Sequence, residues 1–287
     1  MSLLDELLTR CNFPAPGAPV ACACSGGPDS TALVALAVAA GCDVAAHHVD
    51  HGLRATSTTE AATAETIARQ LGADFVLHRV ALEPGPNLEA RARDARRAVL
   101  PPDALTGHTA DDQAETVLLR LLRGSGGTGL GAMRPGPAHP LLSLRRSDTE
   151  ALCRELGVEP VRDPSNHARD VWRNRIRHEL MPLATDIAGR DLTPILGRTA
   201  TILREEGDYL DQLAGEIDPT DAPAVAAAHP VLARRALRSW LTEAGYPPDG
   251  AAIDRVLAVA HGDATACELP GGRRVERSGQ RFRIVDR

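Results

Sequence analysis

Residues 21 to 41, ACACSGGPDSTALVALAVAAG, leave a chain few options: an apolar stretch, a turn with two adjacent glycines, then a second apolar stretch too uniform to present a solvent face. That is the pattern of a buried strand feeding a buried helix, the arrangement in which an anion sits on backbone N–H groups at a helix N-terminus. Gly26 and Gly27 let the backbone approach an anion closely, and Ser25 and Ser30 add hydroxyl donors. Pro28 fits the first turn of the helix, where its missing N–H costs little. Asp29 would repel a phosphate unless a divalent cation lay between them, so it suggests Mg2+. Taken alone, the same six residues also suit an ordinary strand-to-helix turn with a serine cap.

The lysine of a Walker A loop is missing, and a count extends the point: all 32 basic residues are arginine. Walker A, Schiff-base and lysine-nucleophile mechanisms are excluded. The six cysteines form no C-x-x-C pair and read as reduced thiols in apolar surroundings. The N-terminal MSLLDELLTR carries acids and no long apolar run, and no segment reaches 18 uninterrupted apolar residues, so a cytoplasmic protein is expected. Aromatic residues make up 2% of the chain, too few for a broad base-stacking surface.

Strand and helix patterns alternate through the first half. PVACAC, DVAAHHVD, ADFVLHRV and DALTGH read as strands, with helices over 30–40, 56–72, 87–100 and 110–124 between and after them. The expected fold class is α/β, a doubly wound parallel sheet with ligands beyond the carboxyl ends of its strands. Beyond Pro182 the chain turns to helix-forming stretches and closes on ACELPGGRRVERSGQRFRIV, which suggests short terminal strands. The expected division is therefore 1–185 and 186–287, the second part smaller and mainly helical with a short β-hairpin at its end. The alanine-rich 222–228 reads as a loop or weak helix.

Net charge is −6, but unevenly spread. Residues 1–119 carry 8 Arg against 15 acids, residues 120–180 carry 11 against 7, and residues 181–287 carry 13 against 16. One basic segment between two acidic ones suits local grip on a polyanion, or a solvated arginine-rich surface. Three further stretches lie at strand ends or in that segment. HHVDHGLR places His47, His48, His51 and Arg54 together; adjacent His47 and His48 point to opposite faces of a strand and cannot readily share an ion. TGHTADDQAET holds Thr109 and Asp112 at capping-box spacing, and Asp111 and Glu115, at i and i+4, offer carboxylates for Mg2+ or an ammonium group. A glycine run follows, next to Arg120 and Arg123. DPSNHARDVWRNRIRHELMP gathers Arg173, Arg175 and Arg177 with Asn166, Trp172 and Asn174; one helix cannot direct all three arginines to one face.

The first of these stretches, S-G-G-x-D-S in its strand-turn-helix setting, resembles the PP-loop of the ATP pyrophosphatase superfamily, a Rossmann-like fold. All four stretches in their order, S-G-G-x-D-S, D-H-G-L-R, G-H-x-x-D-D-Q-x-E-T with R-G-S-G-x-x-G-L-x-x-M, and D-x-S-N with R-N-x-x-R, closely resemble the tRNA(Ile)-lysidine synthetase family over about residues 19–182. The closing LPGG hairpin looks like the end of that family's small helical domain, and the chain looks like a short form without the additional carboxyl-terminal β domain of longer members.

The resemblance implies an ATP-dependent ligase that joins free L-lysine to C2 of the wobble cytidine in tRNA(Ile) with a CAU anticodon, through an adenylated cytidine. It implies ATP and Mg2+, with Ser25, Gly26, Gly27, Pro28, Asp29 and Ser30 at the nucleotide and Asp29 and Asp112 at the metal. Asp29, Asp111, Asp112, Glu115 and His51 are the implied catalytic set. Arg120, Arg123, Arg173, Asn174, Arg175 and Arg177 are the implied tRNA contacts. Thr109 stands where many members carry a second histidine, so no histidine role is assigned there. Homodimer pairing is left open. The rival readings are a PP-loop tRNA thiolase, an amide-forming synthetase of a small metabolite, and a non-catalytic nucleotide- or RNA-binding relative.

Overall fold

The computed structural model describes residues 2–52, 57–82, 85, 88–161, 172–242 and 248–286; Arg54 and Asn166 lie outside them. The chain forms two compact units, 1–201 and 202–287.

The first unit opens on the short helix α1 (Leu3–Leu8) and is built on a parallel sheet of β1 (Pro19–Ala23), β2 (Asp43–Asp50) and β3 (Asp74–Arg79), in the order β1-β2-β3. Right-handed crossovers are the rule for such connections, and here they run through α2 (Pro28–Ala39) and α3 (Ser57–Gln70). Helix α2 is buried on all sides, with Leu33, Val34 and Leu36 at 1% exposure or less, which explains its uniformly apolar sequence. It packs with Cys22, Val44, Ala46, Leu141 and Leu152 into one core.

After α4 (Leu88–Val99) the chain returns to the other side of β1. The strand expected over 103–108 is reduced to one parallel bridge, Cys22 to Leu105. Leu105 donates to the Ala21 carbonyl at 2.8 Å and accepts from Ala23 at 2.9 Å. The ladder stops because the chain must next pass Gly107 against the phosphate-loop turn: a Cβ there would lie 2.6 Å from the Asp29 carbonyl oxygen. The strand order thus reverses at β1, and the switch point, where such sheets bind ligands, coincides with the glycine turn.

Helix α5 (Ala110–Leu122) begins at that same end, followed by the single turn α6 (Gly127–Leu130) in the glycine run, then α7 (Arg146–Glu155). The basic segment continues as α8 (Trp172–Arg175), a π-helical turn (Ile176–Leu180) and α9 (Met181–Ala188). Helix α10 (Thr193–Ala214) carries the chain from the first unit into the second.

The second unit contains α11 (Ala222–Ala227), α12 (Pro230–Leu241) and α13 (Gly250–His261), then an antiparallel sheet β4 (Ala266–Glu268), β5 (Arg273–Ser278) and β6 (Arg281–Asp286). The stretch read as a loop or weak helix is helix α11, capped by the Asp221 carboxylate accepting from the Ala224 N–H at 3.0 Å. Leu237, Leu241, Ile253, Val256, Val275 and Phe282 form the core, with Trp240 stacked on Phe282 at 6.1 Å. No helix among the described residues is long and apolar enough to cross a membrane.

Candidate active site

The glycine turn is shaped by its own serines. Ser30, at the first turn of α2, accepts from the Ser25 N–H at 3.2 Å, contacts the Ser25 hydroxyl at 3.1 Å and donates to the Gly27 carbonyl at 3.0 Å. Gly26 holds φ +82, a left-handed conformation that favours glycine, and its carbonyl accepts from Val161 N–H at 2.8 Å. Pro28 occupies the start of α2 as its fixed φ allows. The first-turn N–H groups of α2 therefore face the switch point from a preformed turn.

Asp29 is the carboxylate of this turn. Burial pushes it up to about 6, opposed by a hydrogen bond from Thr149 and by the Arg146 guanidinium, whose Nε is 3.5 Å from Oδ2. Asp29 is thus mostly ionised at neutral pH yet held in a partly dry setting.

Helix α5 supplies the acids. Thr109 caps it with Asp112: the Thr109 N–H and hydroxyl donate to Asp112 Oδ2 at 2.9 and 3.0 Å. The remaining oxygen, Oδ1, receives Arg146, Arg173 and Arg177 at 3.1, 2.9 and 3.4 Å. Glu115, 3% exposed, receives the same three arginines, Arg177 at 2.6 Å, Arg173 at 3.0 Å and Arg146 at 3.2 Å. Burial alone would raise Asp112, but Arg173 and Arg146 hold it below its ordinary value.

The converging pair is Asp112 with Glu115, at i and i+3, rather than Asp111 with Glu115 at i and i+4. Asp111 turns to α7 instead. It accepts a two-pronged contact from Arg145 at 3.0 and 3.1 Å and the Arg146 backbone N–H at 2.8 Å, which makes it a cap for the start of α7. Arg145 also pairs with Asp191.

The arginines of the basic segment separate by face. Arg173 and Arg177, one turn apart, point at Asp112 and Glu115, with side chains 25% and 23% exposed. Arg175 lies between them on the outer face, 61% exposed and paired with Glu179 at 3.1 Å. Trp172 is 58% exposed, and Asn174 is half-buried. Arg120 braces the glycine run, donating to the carbonyls of Gly129 at 2.6 Å and Ala132 at 3.3 Å. Arg123 ends α5 and is exposed.

The first unit holds four histidine arrangements. His48 contacts the Cys24 carbonyl at 2.8 Å, and His47 meets His78 at 2.9 Å, so the adjacent pair does face opposite ways. His51 is lowered by burial and by Arg96, and its Nδ1 is buried with no hydrogen-bond partner among the described residues. His108 is pushed down to about 4 by burial, with Arg173 and His139 adding to the effect; it shares Thr106 with His139 at 2.8 and 2.6 Å.

Four contributors were not reached from sequence: Gly107, Arg145, Arg146 and Thr149. A signal was present in LRRSDTE, where Asp148 three residues after Arg145 announces a helix start with two arginines at its entrance. A cavity of about 430 Å³ in the second unit, lined by Arg255, Cys267, Glu268 and Arg274 among others, has neither glycine turn nor acid pair and is not this site.

An anion-binding glycine-serine turn at the switch point of a parallel sheet, with carboxylates on the next helix, defines a nucleotide-using PP-loop enzyme. The PP-loop domain model matches residues 4–184, and the TilS substrate binding domain model matches 221–282. A tRNA(Ile)-lysidine synthase of Nocardia farcinica is 42% identical over 279 residues, 91% of this chain and 86% of the relative. Another, of Rhodococcus erythropolis, is 43% identical over 250 residues, 80% and 76% of the two chains. The U34-tRNA thiolase NcsA from Methanococcus maripaludis, solved with its 4Fe-4S cluster, shares the fold at TM-score 0.59 and 16% identity, over 71% of this chain and 78% of that one. The chain belongs to the tRNA(Ile)-lysidine synthase family of ATP-dependent ligases.

Proposed function

We propose that the protein ligates free L-lysine to C2 of the wobble cytidine of CAU-anticodon tRNA(Ile). The observation that carries the reading is the acid pair Asp112 and Glu115, set beside the phosphate-loop carboxylate Asp29 and linked to it through Arg146. In the first half-reaction the cytidine C2 oxygen attacks the α-phosphate of ATP and pyrophosphate leaves. In the second the lysine ε-amine, having lost a proton, attacks C2 and AMP leaves.

The turn from Ser25 to Ser30 cradles the phosphates on backbone N–H groups and hydroxyls, where charge builds on the departing pyrophosphate. The donor chemistry at Asp29 fits Mg2+, which commonly takes one or two carboxylates together with substrate phosphates; Asp112, whose oxygens are held by Thr109 and three arginines, would join it only on displacing one of them. Bound there, it would neutralise phosphate charge. Asp112 and Glu115 hold the lysine ammonium, Asp111 holds α7 in place, and His51, kept neutral by burial, offers its orphaned Nδ1 as a proton acceptor.

Arg175 and Arg123 form the exposed part of the tRNA-binding set, joined by Asn174, Arg120, Arg173 and Arg177. Residues 1–185 are the catalytic domain and 186–287 the tRNA-substrate domain. A cytoplasmic location suits a tRNA substrate, and a homodimer is the assembly proposed.

The test is incorporation of labelled lysine into a CAU-anticodon tRNA(Ile) transcript with ATP and Mg2+, with a methionine tRNA as control and AMP and pyrophosphate measured. Incorporation confined to the isoleucine tRNA is expected. Pyrophosphate release without lysine transfer would overturn the lysine assignment while leaving the phosphate-loop chemistry standing.

A further inference from the structure

Arg146 belongs to no motif of the glycine turn, of α5 or of the basic segment, yet it touches all the acids of the site. It opens α7, and its backbone N–H is fixed on Asp111 at 2.8 Å. Its guanidinium reaches Asp112 at 3.1 Å and Glu115 at 3.2 and 3.3 Å, and its Nε lies 3.5 Å from Asp29. Three carboxylates from two helices therefore share one cation.

The helix that carries Arg146 is fixed against the phosphate loop by a stripe of its own. Thr149, fully buried, donates to Asp29, and Cys153 donates to the Pro28 carbonyl at 3.6 Å. Residues 146, 149 and 153 fall at i, i+3 and i+7, one face of a helix. Thr149 and Cys153 on that face meet the first turn of α2, and Arg146 extends the face to Asp112 and Glu115 on α5. Among the described residues Arg173 and Arg177 pair with Asp112 and Glu115 but not with Asp29, and Arg146 alone is within salt-bridge distance of all three acids.

We propose that Arg146 is the positioning residue that ties the phosphate-loop carboxylate to the amine-holding carboxylates, so that the ATP half-reaction and the lysine half-reaction share one electrostatic frame. The inference rests on the lysidine reading for the second of these partners. Arg146 acts through Asp29, Asp112 and Glu115. Without it the ATP phosphates face an uncompensated Asp29, and Asp112 and Glu115 lose the contact that fixes them relative to the phosphate loop. A lysine at the position restores charge but not the planar fork that spans two carboxylates.

The experiment compares wild type with R146A and R146K. ATP affinity is read by calorimetry in the presence of Mg2+, lysine KM and kcat by labelled-lysine transfer to tRNA, and folded fraction by thermal unfolding. The expected result for R146A is ATP affinity weakened by roughly tenfold and lysine KM raised by roughly tenfold in protein that remains folded, with R146K recovering ATP affinity more fully than lysine KM. A uniform loss of kcat that tracks the folded fraction, with both affinities unchanged, would overturn the proposal and make Arg146 a brace. Should wild type fail to transfer lysine, the lysidine reading falls, and ATP affinity alone decides for or against Arg146.

Discussion

Arg177 reaches back 62 residues to bring its Nε 2.6 Å from Oε1 of Glu115, an oxygen that already accepts from Arg146 at 3.2 Å. A buried carboxylate shared in this way stabilises only while its partners stay matched. Removing one member of a buried charge cluster typically costs about 3–5 kcal/mol because the others are left uncompensated. Glu115→Gln, nearly isosteric, is therefore expected to lower unfolding free energy by about that much and to raise lysine KM steeply. Urea unfolding checks the first part; a loss under about 1 kcal/mol would mean that the three guanidiniums relax into solvent at little cost.

The split between Arg175 and Arg173 gives two different signatures. Arg175→Ala removes an exposed side chain, so tRNA affinity should fall with stability intact, and the slope of log affinity against log salt should shrink by about 1 if it meets a phosphate. Arg173→Ala also withdraws a cation from Asp112 and Glu115, so its unfolding midpoint should fall as well. Filter binding across a salt series, paired with thermal melts, separates them. Equal melts for the two variants would contradict the facial assignment.

Gly107 is required by proximity and not by its backbone angle. A methyl group there would sit 2.6 Å from the Asp29 carbonyl oxygen and 3.0 Å from the Ser30 N. Gly107→Ala should push the phosphate turn outward and weaken ATP binding by tenfold or more, since a displacement of about 1 Å is enough to cost that much in a positioned site. Calorimetric ATP affinity equal to wild type would show that the turn yields freely.

His108 predicts a pH dependence of stability. Its folded value of about 4 lies below the ordinary 6.5, mainly through burial. The unfolded chain therefore binds more protons between those values, so stability is fully present above about 6.5 and is lost as pH falls towards 4. The two and a half units correspond to at most about 3 kcal/mol. His108→Gln should flatten the decline of unfolding free energy between pH 7 and pH 4.5; an unchanged slope would assign the acid sensitivity to other groups.

How far the sequence reaches can be judged from particular elements. The glycine turn was legible because two glycines, a proline and an all-apolar helix each have a local physical reason to stand there. Helix α11 was less legible because an alanine-rich run carries no facial pattern, and its Asp221 cap is a single residue. The strand at 103–108 was overread: DALTGH has strand composition, but the close approach of Gly107 to Asp29, set by tertiary packing, ends the ladder after Leu105. Asp111 and Glu115 were paired by helical spacing, whereas which acid of α5 turns inward is decided by α7, whose first N–H groups claim Asp111. Arg146 stayed hidden for the same reason, since its partners lie on chain segments more than 30 residues away.

The crowding at Asp112 and Glu115 has a consequence for affinity. Every carboxylate oxygen of the pair already accepts from an arginine or from Thr109, and three guanidiniums face two negative charges. An amine arriving from solution must compete with tethered cations whose effective concentration is set by the fold rather than by the buffer. Arg173 and Arg177, which among the described residues pair with Asp112 and Glu115 alone, thus act as a built-in antagonist of amine binding, whereas Arg146 also ties the pair to Asp29 and fixes where it stands. Lysine affinity is the remainder after that antagonist is displaced, and a phosphate backbone that draws Arg173 or Arg177 aside would tighten lysine binding without touching lysine at all.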